Sequence, residues 1–467
     1  MAETRKEKDS LGFVEVPARA YYGAQTARAV ENYPISGMRA YPSLIRAIGM
    51  VKQAAAAANK ALELVSAERA DAIIAAAKEV IDGKWDAEFV VDVFQAGAGV
   101  SFHMNTNEVI ANRANEILGV PLGTYARVHP NDHVNYGQST NDVYPTAMRL
   151  ATLLALEGLY PVMDRLAESF AAKGREFDGV LKSGRTHMQD AVPIRLGQEF
   201  AAYGVAIAKG EASIARAADG LRELGLGGSA VGTGINTHPE YRELAVENLA
   251  RISGQRLEPA EDMRWAMQSN ACMGDVSVAL RGVALEVIRI SNDLRLLQSG
   301  PNTGLGEITL PALQPGSSIM PGKINPVMAE LAAMVSFQVI GNDTAVACAV
   351  QAGQLELNVM MPAMAWNVLQ SVAILTNMLR VFDERCVRGI TANVERCLHY
   401  AQSTVSLATA LNPYIGYAMA AELVKESVAT GESIISLARK KKLLSEAEIE
   451  EILDPAKLTE PRNLVEE

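Results

Sequence analysis

The clearest hydrophobic spacing in the chain is Val276, Leu280, Val283, Val287, Ile290, Leu294 and Leu297, which alternates steps of four and three. Two apolar positions per heptad, held over three repeats, predict a helix of about 25 residues or more in a bundle. Asp275, Arg281, Glu286, Arg289 and Asp293 fall off that stripe. Helical patterns also run from about Pro42 to Asp82, from Met148 to about Lys173, from Gly197 onward, from Val327 to about Val339, and from Met364 to Val381. Beyond about Ala392 the helices shorten, and Ser445-Glu-Ala-Glu448 reads as the capped start of a last one. Residues up to about 40 are broken by Pro17, Gly23, Pro34 and Gly37 and read as irregular. The pattern predicts an all-α chain with three parts: a mostly helical N-terminal domain over 1–140, a central long-helix bundle over 141–393, and a small helical C-terminal domain over 394–467. It contains no internal repeat.

Composition sharpens this picture. Of 467 residues 49% are hydrophobic but only 5% aromatic, so the core is aliphatic and alanine-rich, which suits close-packed helices. The run Ala54–Ala58 lets neighbouring helices approach closely. A net charge of −11, with Lys440-Lys441-Lys442 the one basic cluster, argues against nucleic-acid binding. The same charge repels anionic ligands, so a site for one has to build its own positive field. Cys272, Cys348, Cys386 and Cys397 show neither CxxC pairing nor zinc-ligand spacing, and read as reduced thiols. The N-terminus lacks an apolar signal region, and no charge-free apolar run of about 18 residues is present, so the expectation is a cytoplasmic chain without a membrane span.

Candidate chemistry is concentrated in Gly316-Ser-Ser-Ile-Met-Pro-Gly-Lys-Ile-Asn325, between two long helical patterns. Glycine and proline mark the stretch 316–326 as a loop, and it carries two hydroxyls (Ser317, Ser318), an ammonium (Lys323) and a carboxamide (Asn325). That set brings a base, a positive charge and amide donors to one place. A second cluster, Ser139, Thr140 and Asn141, precedes Pro145 and falls at a helix N-terminus, where free N–H groups and the dipole favour a carboxylate. Capping alone needs only one such residue. Gly184-Arg-Thr-His-Met-Gln-Asp190 places His187, one of six histidines, beside Thr186. The glycines at 225, 227, 228, 232 and 234 do not follow a strand, so they do not make a dinucleotide fold.

The 316–325 loop closely resembles the signature loop of the fumarase/aspartase superfamily, and further segments extend the resemblance over nearly the whole chain. These are Tyr21-Tyr-Gly-Ala-Gln-Thr-Ala-Arg28, Gly97-Ala-Gly-Val-Ser-Phe-His-Met-Asn105, His133 to Asp142, and Gly184 to Pro193. The resemblance implies an all-helical homotetrameric lyase whose active sites are each shared by three subunits, with a small dicarboxylate as substrate and no cofactor or metal. It implies Ser317 as general base, with His187 beside the leaving amine and Glu330 paired to that histidine. Lys323, Asn325 and Thr186 would hold the α-carboxylate. Ser139 and Thr140 would cradle the β-carboxylate, Asn141 would lie near the amine, and Arg28 would approach the site from the N-terminal arm.

Within the superfamily the aspartases match better than the fumarases, on Tyr21-Tyr22, Gln138 to Pro145, Thr391-Ala-Asn393 and Leu411-Asn-Pro-Tyr-Ile-Gly416. The expected reaction is reversible deamination of L-aspartate to fumarate and ammonia, by abstraction of a C3 proton through an enediolate-like intermediate. Fumarate hydration, or elimination from a modified aspartate, remains open. Four positions depart from the family pattern. Val100 stands for a threonine of the β-carboxylate cradle, His103 for an asparagine, Asn302 for an arginine and Met361 for a glutamate. His103, one helical turn from Val100, would either donate to the same substrate group or face solvent at a helix start.

Overall fold

The computed structural model describes residues 3–461. The chain begins with a hairpin, β1 (Thr4–Asp9) and β2 (Gly12–Pro17), followed by helix α1 (Ala24–Asn32). This stretch is therefore ordered where glycine and proline suggested an irregular arm. Arg5 and Glu7 explain it: Glu7 is buried and ion-paired to Arg5, so a charged pair occupies the place an apolar stripe would normally fill. Arg5 also donates to the carbonyls of Pro17, Ala18, Ala20 and Tyr22.

Helices α2 (Pro42–Ala61) and α3 (Ala67–Ile81) replace the single helix expected over 42–82. The break carries no glycine or proline. Glu63 takes a left-handed conformation at φ 55°, and α3 starts after Ser66. Next come α4 (Val100–Ile117), α5 (Thr140–Glu176), a second hairpin of β3 (Leu181–Thr186) and β4 (Gln189–Arg195), and α6 (Leu196–Ala218). α7 (Tyr241–Ser253) and α8 (Met263–Gln268) lead into α9 (Ala271–Gln298), α10 (Val327–Gln351) and α11 (Met361–Arg385), and α12 (Val394–Ser403) opens the shorter C-terminal helices. The seven seam residues are all buried on α9. Ser445 and Glu448 form the reciprocal cap of Glu446–Ile452. The fold is all-α, and its sheets are two-stranded.

Contacts cluster into two units. One comprises the chain through Pro161 with Gly210–Ala284 and Val335–Thr376, and the other comprises Val162–Lys209, Leu285–Met334 and the chain from Asn377 onward. The division runs through α5, α6, α9, α10 and α11. In the first unit the Glu108 carboxylate of α4 anchors the start of α1. It accepts from the N–H groups of Gly23 (2.8 Å), Gln25 (2.8 Å) and Thr26 (3.1 Å), and from the Thr26 hydroxyl (2.6 Å). Four donors at a helix N-terminus hold an anion in place even though burial pushes its pKa up. In the second unit Phe170, Phe177, Phe200, Tyr203 and Phe382 pack as one aromatic group. A separate aliphatic core includes Leu407, Leu411, Leu423, Leu437 and Ile449.

By length and hydropathy alone α10 is apolar enough to cross a bilayer, although Glu330 and Asp343 divide its sequence. Helices in the cores of bundles meet the same criterion. Its apolar residues include the exposed Met334 and Phe337, and α9 exposes Val278, Leu285 and Leu296.

Candidate active site

Three local structures carry the residues singled out in the sequence. The first is the start of α5, where the expected helix N-terminus is found. Ser139 caps it by accepting from the Asn141 N–H (3.2 Å), while the Asp142 carboxylate accepts from the Ser139 N–H (2.9 Å). Asp142 is fully buried and also takes the N–H groups of Gly227 (3.1 Å) and Ser229 (3.0 Å). The glycine-rich 225–234 segment is thus a strap tied to this helix start, and the Asn141 carboxamide adds a bond to the Ala230 carbonyl (2.8 Å). Burial raises the Asp142 pKa to about 6, against the pull of those N–H groups and of the Lys52 charge.

Val100 opens α4 in the same unit and is 42% exposed. Gly99 before it has φ 83°, and a Cβ there would lie 2.2 Å from the Tyr144 ring, so only glycine lets α4 approach α5 at this point. His103 faces neither solvent nor an open site. It is 1% exposed, with Nε2 2.6 Å from Lys52 Nζ and Nδ1 2.7 Å from Thr140 Oγ1. The solvent-facing alternative is corrected: the ring is buried, with its two nitrogens at Lys52 and at Thr140 of the candidate cradle.

The second structure is the 316–326 loop. Asn325 folds it back by donating to the Gly316 carbonyl (2.6 Å), and the Gly316 N–H donates to the Lys323 carbonyl (2.9 Å). Inside this clasp the Ser317 hydroxyl oxygen accepts from the N–H groups of Met320 (2.9 Å) and Ile319 (3.2 Å). Two donors on one hydroxyl oxygen favour its anionic form. Lys323, Asn325 and Glu330 line an open cleft with Arg295 and Ser299.

The third is the tip of the β3–β4 hairpin. Thr186 pairs with Gln189, leaving His187 (φ 54°) and Met188 (φ 60°) as a two-residue turn with both φ positive. That turn normally takes Asn-Gly, so two ordinary side chains are held there under strain. The hairpin is anchored by ions: Lys182 contacts Glu199 (2.7 Å) and Glu307 (3.0 Å), and Arg185 contacts Glu307 (2.9 Å). Among the described residues, neither the His187 ring nor the Glu330 carboxylate has a hydrogen-bond or ion-pair partner. Arg28 bonds instead to Asp9 (2.7 Å and 3.1 Å) and the Gly12 carbonyl (3.2 Å), tying α1 to the first hairpin.

The lyase family matches residues 12–341, and the fumarase C C-terminal family matches residues 407–460. The chain belongs to the fumarase/aspartase superfamily. It is 49% identical to an aspartate ammonia-lyase of a Bacillus species, over 98% of both chains. It is 51% identical to a class II fumarate hydratase of Halobacterium salinarum, over 97% of both. The solved fumarate lyase:delta crystallin of Brucella melitensis superposes with a TM-score of 0.96 at 49% identity, covering 98% of this chain and 100% of that one.

Sequence reasoning missed Lys52 and Asp142. Lys52 carried a usable signal, since it sits in the buried series Ile48, Lys52, Ala55 and Asn59 on α2, where an ammonium is unexpected. Asp142 carried only the weak signal of an acidic residue three positions after a serine cap.

Proposed function

We propose that this protein eliminates ammonia from L-aspartate to give fumarate, reversibly, in a cytoplasmic homotetramer. The observation that carries the reading is the Ser317 hydroxyl, held by two backbone N–H groups in the same loop as Lys323 and Asn325. Ser317 takes a proton from C3, the C3–H electrons form the double bond, and the C2–N bond breaks to release ammonia. The C3 proton becomes removable only if the adjacent carboxylate accepts charge, so Ser139 and Thr140 supply donors to that group at the start of α5, and Asn141 lies near the amine. Thr186, Lys323 and Asn325 grip the other carboxylate. His187 and Glu330, without a side-chain partner among the described residues, meet across a subunit boundary beside the departing amine. The exposed apolar side chains of α9 and α10 support burial against further copies.

Ser317→Ala tests the reading. Fumarate absorbance after adding aspartate should appear several orders of magnitude more slowly, with circular dichroism unchanged, because little packing is lost. Near wild-type turnover sinks the mechanism. Hydration of fumarate is the second reading, favoured by the 51% identity to the Halobacterium hydratase. Faster fumarate formation from malate than from aspartate decides for it.

A further inference from the structure

Beneath the start of α5 a buried hydrogen-bond chain runs from Lys52 through His103 to Thr140, and its direction can be worked out bond by bond. Lys52 is 0% exposed, and its Nζ lies 2.9 Å from Asn135 Oδ1, 2.9 Å from Gln138 Oε1 and 2.6 Å from His103 Nε2. The two carboxamides cannot be turned round. The nitrogen of Asn135 donates to the Gln138 carbonyl (3.1 Å), and that of Gln138 donates to the carbonyls of Val134 (3.0 Å) and Tyr136 (3.3 Å). Lys52 therefore faces two carbonyl oxygens and a ring nitrogen, one acceptor for each N–H of an ammonium. Burial pulls the Lys52 pKa down, against the field of Asp142, and the three acceptors around Nζ match the three N–H donors of an ammonium. His103 is neutral, because burial and then the adjacent Lys52 charge press its pKa down and outweigh the opposing pull of the Asn135 side chain. A neutral imidazole that accepts at Nε2 carries its proton on Nδ1, and Nδ1 then donates to Thr140 Oγ1 at 2.7 Å. The hydrogen of Thr140 is then left to point away from His103, on a residue that is half-buried.

We propose that Lys52 and His103 are positioning residues that fix and polarise the Thr140 hydroxyl as a donor to a substrate carboxylate. The inference rests on the carboxylate role given to Thr140 above. It gives Val100 a context: the valine side chain offers no donor, and the neighbouring Thr140 donor is reinforced by a buried charge. Were Lys52 a neutral amine accepting from Nε2–H, His103 would accept the Thr140 hydrogen, and the hydroxyl would turn lone pairs toward the carboxylate.

The test separates the two ring nitrogens. Asparagine at 103 keeps an amide N–H near the position of Nδ1 and gives up the reach to Lys52. Glutamine keeps an acceptor near the position of Nε2 and gives up the bond to Thr140. Calorimetric binding of succinate, an unreactive dicarboxylate, is measured on the assembled wild type, His103→Asn, His103→Gln, Thr140→Val and the Thr140→Val doubles. A lost charge-assisted donor predicts about tenfold weaker binding for His103→Gln, and under about threefold for His103→Asn. In the Thr140→Val background His103→Gln should add nothing. Equal weakening in both backgrounds, or no weakening at all, overturns the proposal. If His103→Gln does not assemble, 15N NMR of histidine-labelled wild type, with the His103 signal assigned by its loss in His103→Asn, reads the tautomer directly. A proton on Nε2 then overturns the proposal, and one on Nδ1 supports it. Fumarate formation is scored separately: a wild type that binds succinate but does not turn over aspartate or malate defeats the proposed function and leaves the coupling readable. A wild type that does not bind succinate defeats the inference.

Discussion

If the N–H groups of Ile319 and Met320 stabilise an anion at position 317, a group with a measurable pKa placed there should report it. Ser317→Cys supplies one. An ordinary thiol ionises near pH ~8.5. Each hydrogen bond to a charged group is worth about 1.5–3 kcal/mol, and sulfur accepts at the weak end of that range. Two such bonds give about 3 kcal/mol, which at 1.36 kcal/mol per pKa unit is about two units, for an apparent pKa near ~6.5. Ser317 is half-exposed, so burial opposes this only weakly. The assay is the pH dependence of iodoacetamide alkylation in a Cys348→Ser background, because Cys348 is the exposed native thiol. The other three thiols are buried, and their pKa values are raised by that burial, Cys386 and Cys397 to about 12, so they stay protonated and silent. An apparent pKa at or above the ordinary thiol value would mean that the two N–H groups do not favour an anion, and the loop as folded would not activate Ser317.

Inactive Ser317→Ala and inactive Thr186→Val protomers, unfolded together and reassembled, should regain measurable turnover if sites draw residues from different chains; none from well-mixed tetramers counts against shared sites. The raised Asp142 pKa destabilises the fold as pH rises, because the unfolded carboxylate ionises near 3.8 and the folded one near about 6. Between about pH 5 and pH 7.5 the stability of wild type relative to Asp142→Asn should therefore fall by about 1–2 kcal/mol, read from paired thermal melts, and a constant difference refutes the shift. Glu307→Gln leaves Lys182 and Arg185 short of a buried counter-charge, which should cost about 3–5 kcal/mol and lower both Tm and kcat/KM through the β3–β4 hairpin. An unchanged melting temperature would show that Glu199 alone suffices for Lys182.

The long helices were legible because their signal is additive: every burial along Val276–Leu297 repeats the same spacing. The Ser139–Asn141 helix start and the 316–326 loop were legible because each announces itself by residue type, hydroxyls at a cap in one case and glycine with proline in the other. The first hairpin was not, since its inward position is filled by Glu7, whose partner Arg5 makes it affordable to bury only once the fold is known. The α2–α3 break was hidden for the opposite reason: Glu63 turns left-handed with no residue there that demands it. Charges inside the helical cores were the hardest to read. Lys52 and Glu108 look like surface residues in one dimension and become ligands for neighbouring elements in three.

The strained tip at His187 and Met188 has a consequence for how the protein would drift under selection. Positive φ at a non-glycine residue costs on the order of 1 kcal/mol, and two adjacent positions here bear it. A population screened only for heat tolerance has a short path to relief, through asparagine and glycine at these two codons, and each step would raise the melting temperature while removing the imidazole. Retention of histidine at 187 is then a running record of demand for the reaction, and its loss would be among the first marks of a copy released from that demand.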